Sequence, residues 1–570
     1  MISKKYYTLG LDFGTNSVRA LIVDLYNGDE IGTSVFPYPS GNDGILLDDS
    51  DPNVARQNPA DYIVGIEISV QDAVDAAKKN DPDFDPKRII GIGVDTTGSS
   101  PMPVDSSGTP LALHPKFKDN LNAQVWLWKD HTGYEEAAGI TAVAAKMRPA
   151  YMAKVGGTYS SEWFWSKIWH CLNVDPSVFD AADSFVEICD YIPGLLTGKT
   201  APNQLARSIC AAGHKAMFNT EWGGLPDIEF LAACDPRLAE LRGRLYDTAY
   251  PSNHLFGGLT DEWAGRLGLR PGIAVAVGAF DAHMGAVGAG VGEGTLVKIL
   301  GTSTCDIMVS PRQKGFADIP GVCGIVDGSV IPGMIGIEAG QSAVGDIFLW
   351  FVNNLVPDIY GCTADEKFMN LGRLAAAQKP GEHGLLALDW NNGNRTILVD
   401  VRLSGLLVGQ SLHTQAHEIY RALIEATAFG ALTIINRIEE FGVRVAEIVN
   451  CGGLAARNSF LMQVYADITG RPMKVSRSDL TCALGAALFG AVAAGKEAGG
   501  FETVEEAQIK TTGIKTTYTP DEENHSVYRE MYALYKTLHD AFGTRAWTGN
   551  LGAVMKDLII LREKQRREHQ

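Results

Sequence analysis

The chain has 570 residues, 45% of them hydrophobic, with 67 acidic against 49 basic side chains and a net charge of −18, a composition that excludes disordered and fibrous proteins. At roughly 100 to 200 residues per domain this length allows about two to four domains and a cleft between them. The acidic balance argues against sequence-independent binding to nucleic acid or an anionic membrane, but a nucleotide can still be held by backbone N–H groups, helix N-termini and a metal ion.

Residues 1–7 carry Lys4 and Lys5 and run into a strand-like segment, without the apolar core of a signal peptide. Residues 9–24 form two β-rich runs around the turn Gly14-Thr15-Asn16, the pattern of a hairpin. Residues 89–95 read as a buried strand ending in a Thr/Gly/Ser loop. Two Trp-rich pieces follow, at residues 126–131 and 162–169. The second has helical spacing and reads as core, whereas the first mixes Trp128 with Lys129, Asp130 and His131, a set suited to a polyhydroxylated ligand. A Gly/Pro break at residues 269–273 is the expected boundary between two halves.

Residues 297–309 repeat the hairpin design around Gly301-Thr302-Ser303. A long amphipathic helix is expected over residues 418–441, a short strand over 448–451 ending at Gly452-Gly453, and a helix from Phe460. The small-apolar run 482–495 is too short to span a bilayer. Val527, Met531, Leu534, Leu538 and Phe542 recur at helical spacing, so a terminal helix should pack back on the body. The basic stretch 562–567 reads as a solvated helix end. Nine cysteines without a Cys-x-x-Cys motif fit free thiols in a reducing compartment, the cytoplasm by default. Alternating strands and helices give an α/β class with domains at 1–270, 271–510 and a helical segment at 511–570.

Asp12, at the end of a strand and before a Gly-Thr turn, can hold hydrated Mg²⁺ while turn amides face phosphate; the bland alternative is a capped hairpin. The second Gly-Thr turn favours two such turns gripping a polyphosphate from both sides of a cleft. Ile299 stands where the first copy has Asp12, so only one side offers a carboxylate. Gly452-Gly453 would let backbone approach a flat ligand. Asp281, just past an apolar strand, reads either as a general base towards an alcohol or as a helix cap. His413 and His417 lack the companions of a zinc site, and no nucleophile elbow, Walker A loop or Rossmann fingerprint occurs.

Taken together, Asp12-Phe13-Gly14-Thr15, Gly278-Ala279-Phe280-Asp281, Gly301-Thr302-Ser303 and Gly452-Gly453 resemble the FGGY family of carbohydrate kinases, within the actin-like ATPase superfamily. The resemblance runs from Leu9 to about Gly495. Residues 93–99, 127–132, 159–165, 212–215, 278–288, 301–306, 338–342, 388–390 and 426–430 look like the branch that acts on L-ribulose. It implies two actin-like (ribonuclease H-like) domains with a cleft between them, insertions in the first half and a C-terminal helical segment. It also implies an ATP-dependent ketopentose kinase requiring Mg²⁺, with a homodimer as one assembly it allows.

Residue by residue, Asp281 falls at the family's catalytic base and Asp12 at the Mg²⁺ position. Gly14, Thr15, Asn16, Gly301, Thr302 and Ser303 fall on the phosphate-facing turns, and Gly452, Gly453 and Asn458 on the adenosine loop. Trp128, Asp130, Lys215 and Glu338 fall at the sugar pocket. The sugar loop departs from the common Trp-x-Asp-x-Arg by having Thr132 in the last place, which weakens a glycerol or xylulose reading. Another pentulose or polyol, or a non-catalytic nucleotide-dependent sugar sensor, are the alternatives.

Overall fold

The computed structural model describes residues 5–313 and 316–569; the reading of residues 1–4 lies outside them. Two seven-stranded mixed sheets form the body. In the first, Tyr7–Phe13, Ser17–Asp24 and Glu30–Pro37 make an antiparallel meander, and Ile89–Thr96 adds parallel to Tyr7–Phe13 on its other side. Both Tyr7–Phe13 and Ile89–Thr96 are buried at every position, which explains why they read as continuous apolar runs instead of alternating ones. Helix Pro59–Asn80 covers the meander.

The second sheet repeats this wiring. Thr295–Leu300 pairs antiparallel with Thr304–Pro311, which pairs with Met334–Ala339, while Glu447–Cys451 adds parallel to Thr295–Leu300. The expected long helix is Ala416–Glu440, and the helix after the Gly-Gly pair is Ser459–Thr469. Internal duplication of the hairpin, inferred from the two Gly-Thr turns, thus extends to the surrounding strands.

The break at residues 269–273 turns the chain inside the first half. The strands that follow it, Ala274–Ala276 and Ala279–Phe280, both pair with Ile89–Thr96 in the first sheet. The chain leaves that sheet through helix Asp281–Gly288, against which helix Thr481–Ala494 returns. The latter lies backbone to backbone on the first sheet and on helix Asp281–Gly288: a Cβ on Gly93 would stand 1.7 Å from the Ala486 carbonyl oxygen, and one on Gly485 1.8 Å from that of Met284. Small residues in 482–495 therefore serve close approach between the two halves.

Inserted in the first half is a helical subdomain with its own core, including Trp126, Tyr159, Trp165 and Leu238. At the C-terminus, Ile514–Tyr518 forms the edge of the second sheet, so residues 511–570 begin as part of that layer. Helix Glu522–Gly543 buries Val527, Tyr528, Met531, Tyr535 and Leu538, leaving Phe542 exposed. Helix Val554–His569 docks through Leu558 and Leu561. Its basic end is partly engaged with the body: Arg566 donates to the Glu382 carbonyl at 3.1 Å.

Candidate active site

Strand register brings three carboxylates together. In the parallel pairing Asp12 lies beside Asp95, and Phe280 lies beside Thr96, so Asp281 emerges at the same carboxyl edge of the sheet. Carboxyl ends of parallel strands are where α/β sheets open to ligands. Asp12 is buried and accepts a 2.8 Å hydrogen bond from Arg19, its cross-strand partner. Asp95 is fully buried and neither of its oxygens meets a donor among the described residues. Burial, and then the charges of Asp12 and Asp281, push its carboxyl well above the ordinary value. One ligand atom each from Asp12, Asp95 and Cys482 lie within 4.8 Å of one another.

Asp281 opens its helix, its Oδ1 accepting the Ala282 N–H at 2.7 Å. Burial, reinforced by Asp12, pushes it up to about 7. It borders a cavity of about 280 Å³ that also meets Trp128, Lys215, Glu338 and the turn Gly301-Thr302-Ser303. Lys215 donates to both Glu338 oxygens, at 2.8 and 3.0 Å. Burial is the largest influence on each and opposes its charge, but the ion pair together with neighbouring groups reverses it: Lys215 is raised and Glu338 held well below the usual carboxylate range.

The two turns are braced differently. In the first, the Gly14 N–H donates to the Ser17 carbonyl, while Trp128 Nε1 donates to Thr15 Oγ1 at 3.0 Å and Gln57 to the Thr15 carbonyl at 2.7 Å. Trp128 thus links the loop at residues 127–132 to the first turn. Asn16 is exposed and its amide donates to the Asp43 carbonyl. In the second turn, the Thr302 and Gly301 carbonyls accept from Val344 and Gly345, at the N-terminal end of helix Gly345–Leu355.

Gly301 and Gly452 follow adjacent parallel strands, since Ile299 pairs with Cys451. Gly452 has φ +90° and a Cβ there would stand 2.5 Å from the Leu300 carbonyl oxygen, whereas Gly453 faces open space. Asn458 Oδ1 caps helix Ser459–Thr469 by accepting the Leu461 N–H at 3.0 Å.

Asp12, Gly14, Thr15, Asn16, Gly452, Gly453 and Asn458 lie outside the lining of this cavity, and of the four residues predicted for the sugar pocket Asp130 is the one that the fold does not bring to it. Asp130 is fully buried, ion-paired to Arg56 and accepting from the Ala55 N–H and from Thr132. Its geometry fixes the loop that presents Trp128. The shape of this loop also depends on residues the sequence did not single out. Buried Lys167 donates to the Ser99 and Leu127 carbonyls at 2.6 and 2.8 Å, and Glu187 accepts from the Ser100 N–H and Ser99 Oγ. Trp163, whose segment reads as core, borders the cavity, as do His283 and Arg395. Lys167 had a signal in its one-turn spacing from Trp163; Glu187 and Arg395 had none.

Models of the N-terminal and C-terminal domains of the FGGY family of carbohydrate kinases match residues 7–288 and 296–494. The chain belongs to the FGGY family of carbohydrate kinases. This FGGY kinase is 43% identical over 571 residues to a ribulokinase of Shouchella clausii (strain KSM-K16), covering 98% of each chain. It is 44% identical over 550 residues to a ribulokinase of Geobacillus thermodenitrificans (strain NG80-2), covering 95% of each. Among solved structures it resembles the xylulose kinase of Rhodospirillum rubrum, with a TM-score of 0.75 and 23% identity over 94% of this chain and 99% of that one. That likeness establishes the fold, two actin-like domains around a cleft. The FGGY kinase is accordingly a phosphotransferase with an alcohol acceptor.

Proposed function

We propose that this FGGY kinase transfers the γ-phosphate of ATP to the terminal hydroxyl of L-ribulose, giving L-ribulose 5-phosphate for arabinose catabolism. The observation that carries the reading is one cavity in which Asp281, the Lys215–Glu338 pair and a Gly-Thr turn meet, in a chain matched along nearly its whole length by proteins named ribulokinase.

Asp281 takes the hydroxyl proton as the sugar oxygen attacks, a task suited to a base poised near neutrality. Lys215, Glu338 and Trp128 orient the sugar, with Asp130 acting through the loop that carries Trp128. Amides of Thr15, Asn16, Thr302 and Ser303 face the phosphates, on turns closed by the Gly14 and Gly301 N–H groups, which donate to the Ser17 and Ser303 carbonyls. Gly452 and Gly453 let backbone lie along the adenosine, beside Asn458. Asp12 and buried Asp95 offer the carboxylate oxygens a hard cation takes, with the Cys482 thiol as the third, softer group of the cluster. Mg²⁺ held there would neutralise phosphate charge. Closure of the two halves would keep water from competing for the phosphoryl group. The nine unbridged cysteines fit a reducing compartment.

The test is ADP release by the purified protein with ATP, Mg²⁺ and a panel of L-ribulose, D-ribulose, L- and D-xylulose, ribitol and glycerol. The proposal predicts the highest kcat/KM for L-ribulose; a clear preference for glycerol or xylulose overturns it.

A further inference from the structure

We infer that His283 is a specificity-determining residue whose neutral imidazole hydrogen-bonds a hydroxyl of the acceptor sugar; this rests on reading the cavity as the acceptor site. His283 lies on the same helix as Asp281 and borders the same cavity. It is 2% exposed, yet neither ring nitrogen has a hydrogen-bond partner among the described residues. A buried imidazole with both polar atoms unmatched is costly unless something completes it. The Glu338 Oε2 stands 3.7 Å from its Nε2, beyond hydrogen-bond reach. Both Glu338 oxygens are already engaged by Lys215.

The ring is held by its neighbours. It packs against the His214 ring at 4.4 Å between centroids and against Phe280 at 6.2 Å. His214 is in turn anchored through Nε2 to Ser329 Oγ at 2.9 Å. Burial pushes His283 down to about 4, so the ring is neutral and presents one donor and one acceptor. A hydroxyl can accept from the ring N–H or donate to the bare nitrogen, so whichever ring nitrogen faces the cavity can be completed by one. A divalent cation is the other chemistry to weigh, because His214, His283 and Glu338 place ligand atoms within 4.8 Å of one another. The Lys215 ammonium on both Glu338 oxygens opposes a dication there, so a sugar hydroxyl is the better complement.

The experiment compares the full-length wild type with H283A and H283Q, using L-ribulose and its 1-, 3- and 4-deoxy analogues, with ATP saturating. In the wild type one deoxy analogue should be disfavoured by about 10- to 100-fold in kcat/KM. H283A should lose a similar factor on L-ribulose, keep its KM for ATP, and treat that analogue and L-ribulose almost alike. H283Q, which retains a donor and an acceptor, should recover part of the discrimination, and carries the comparison if H283A does not fold. An equal loss on L-ribulose and every analogue, or unchanged discrimination, overturns the inference while leaving the kinase reading standing. Zn²⁺ inhibition abolished by H283A without altered discrimination also overturns it, in favour of a metal site. A wild type that phosphorylates no ketopentose overturns the functional reading and this inference together.

Discussion

Under the proposed mechanism Asp281 stands between two opposing demands: burial and the Asp12 charge disfavour its ionised form, while proton abstraction requires that form. On this account kcat/KM rises with pH through about 7 and levels above it, because the protonated carboxyl cannot accept the hydroxyl proton. A pH profile with no ionisation in that region would contradict the assignment. Stability should run the other way. A carboxyl raised from 3.8 to about 7 in the folded state contributes stability that is present below 3.8 and lost as pH rises through about 7. Asp281→Asn keeps the neutral form, so in metal-free buffer its melting temperature should exceed the wild type's by a margin that opens between these two values and is constant above them. At the Lys215–Glu338 pair, Lys215→Met leaves a buried carboxylate without its ammonium. Chemical denaturation should report a loss of about 3–5 kcal/mol, partly recovered in the double variant Lys215→Met with Glu338→Gln.

At the scale of elements, the junction between halves is built from small residues whose role is steric. Gly485→Ala puts a methyl against the Met284 carbonyl and has no open direction. It should unfold at markedly lower denaturant, with a cost of about 1–3 kcal/mol or more. Gly453→Ala is the contrasting case, since its methyl enters open space. Its stability should stay within about 0.5 kcal/mol of wild type, while the KM for ATP rises if backbone there approaches the adenosine. Loss of ATP affinity in neither Gly453→Ala nor a bulkier Gly453→Val would remove that loop from the nucleotide site. The terminal helix is a third element with a definite role. Leu558→Ala empties a fully buried position and should cost about 2–5 kcal/mol by thermal or chemical unfolding.

For the whole molecule, legibility in sequence followed locality. Asp12, Asp281 and the two Gly-Thr turns were readable because each closes its own apolar run, where strand, turn and side chain are neighbours in the chain. Glu187, Lys167 and Arg56 were not, because they reach the site from separate parts of the first half and act by bonding backbone carbonyls, amides or Asp130 that no periodicity marks. The Pro271-Gly272 break read as a boundary because a turn inside a sheet and a turn between domains use the same residues. The actual junction, two helices rich in Gly and Ala, gave no amphipathic signal because both are enclosed between sheets. Asp130 shows the limit of motif placement: its position in the loop was right to attract notice, but its carboxylate faces Arg56 instead of the cavity.

The central claim joins one base, one acceptor hydroxyl and two phosphate-facing turns in a single reaction. It is tested most directly by incubating the protein with ATP, Mg²⁺ and L-ribulose and locating the phosphate on the product by NMR, in parallel with Asp281→Ala. The account predicts phosphate on the C5 oxygen with the wild type, and no sugar phosphate with the variant although it still binds ATP. Phosphate on another oxygen, or undiminished turnover by Asp281→Ala, would contradict it.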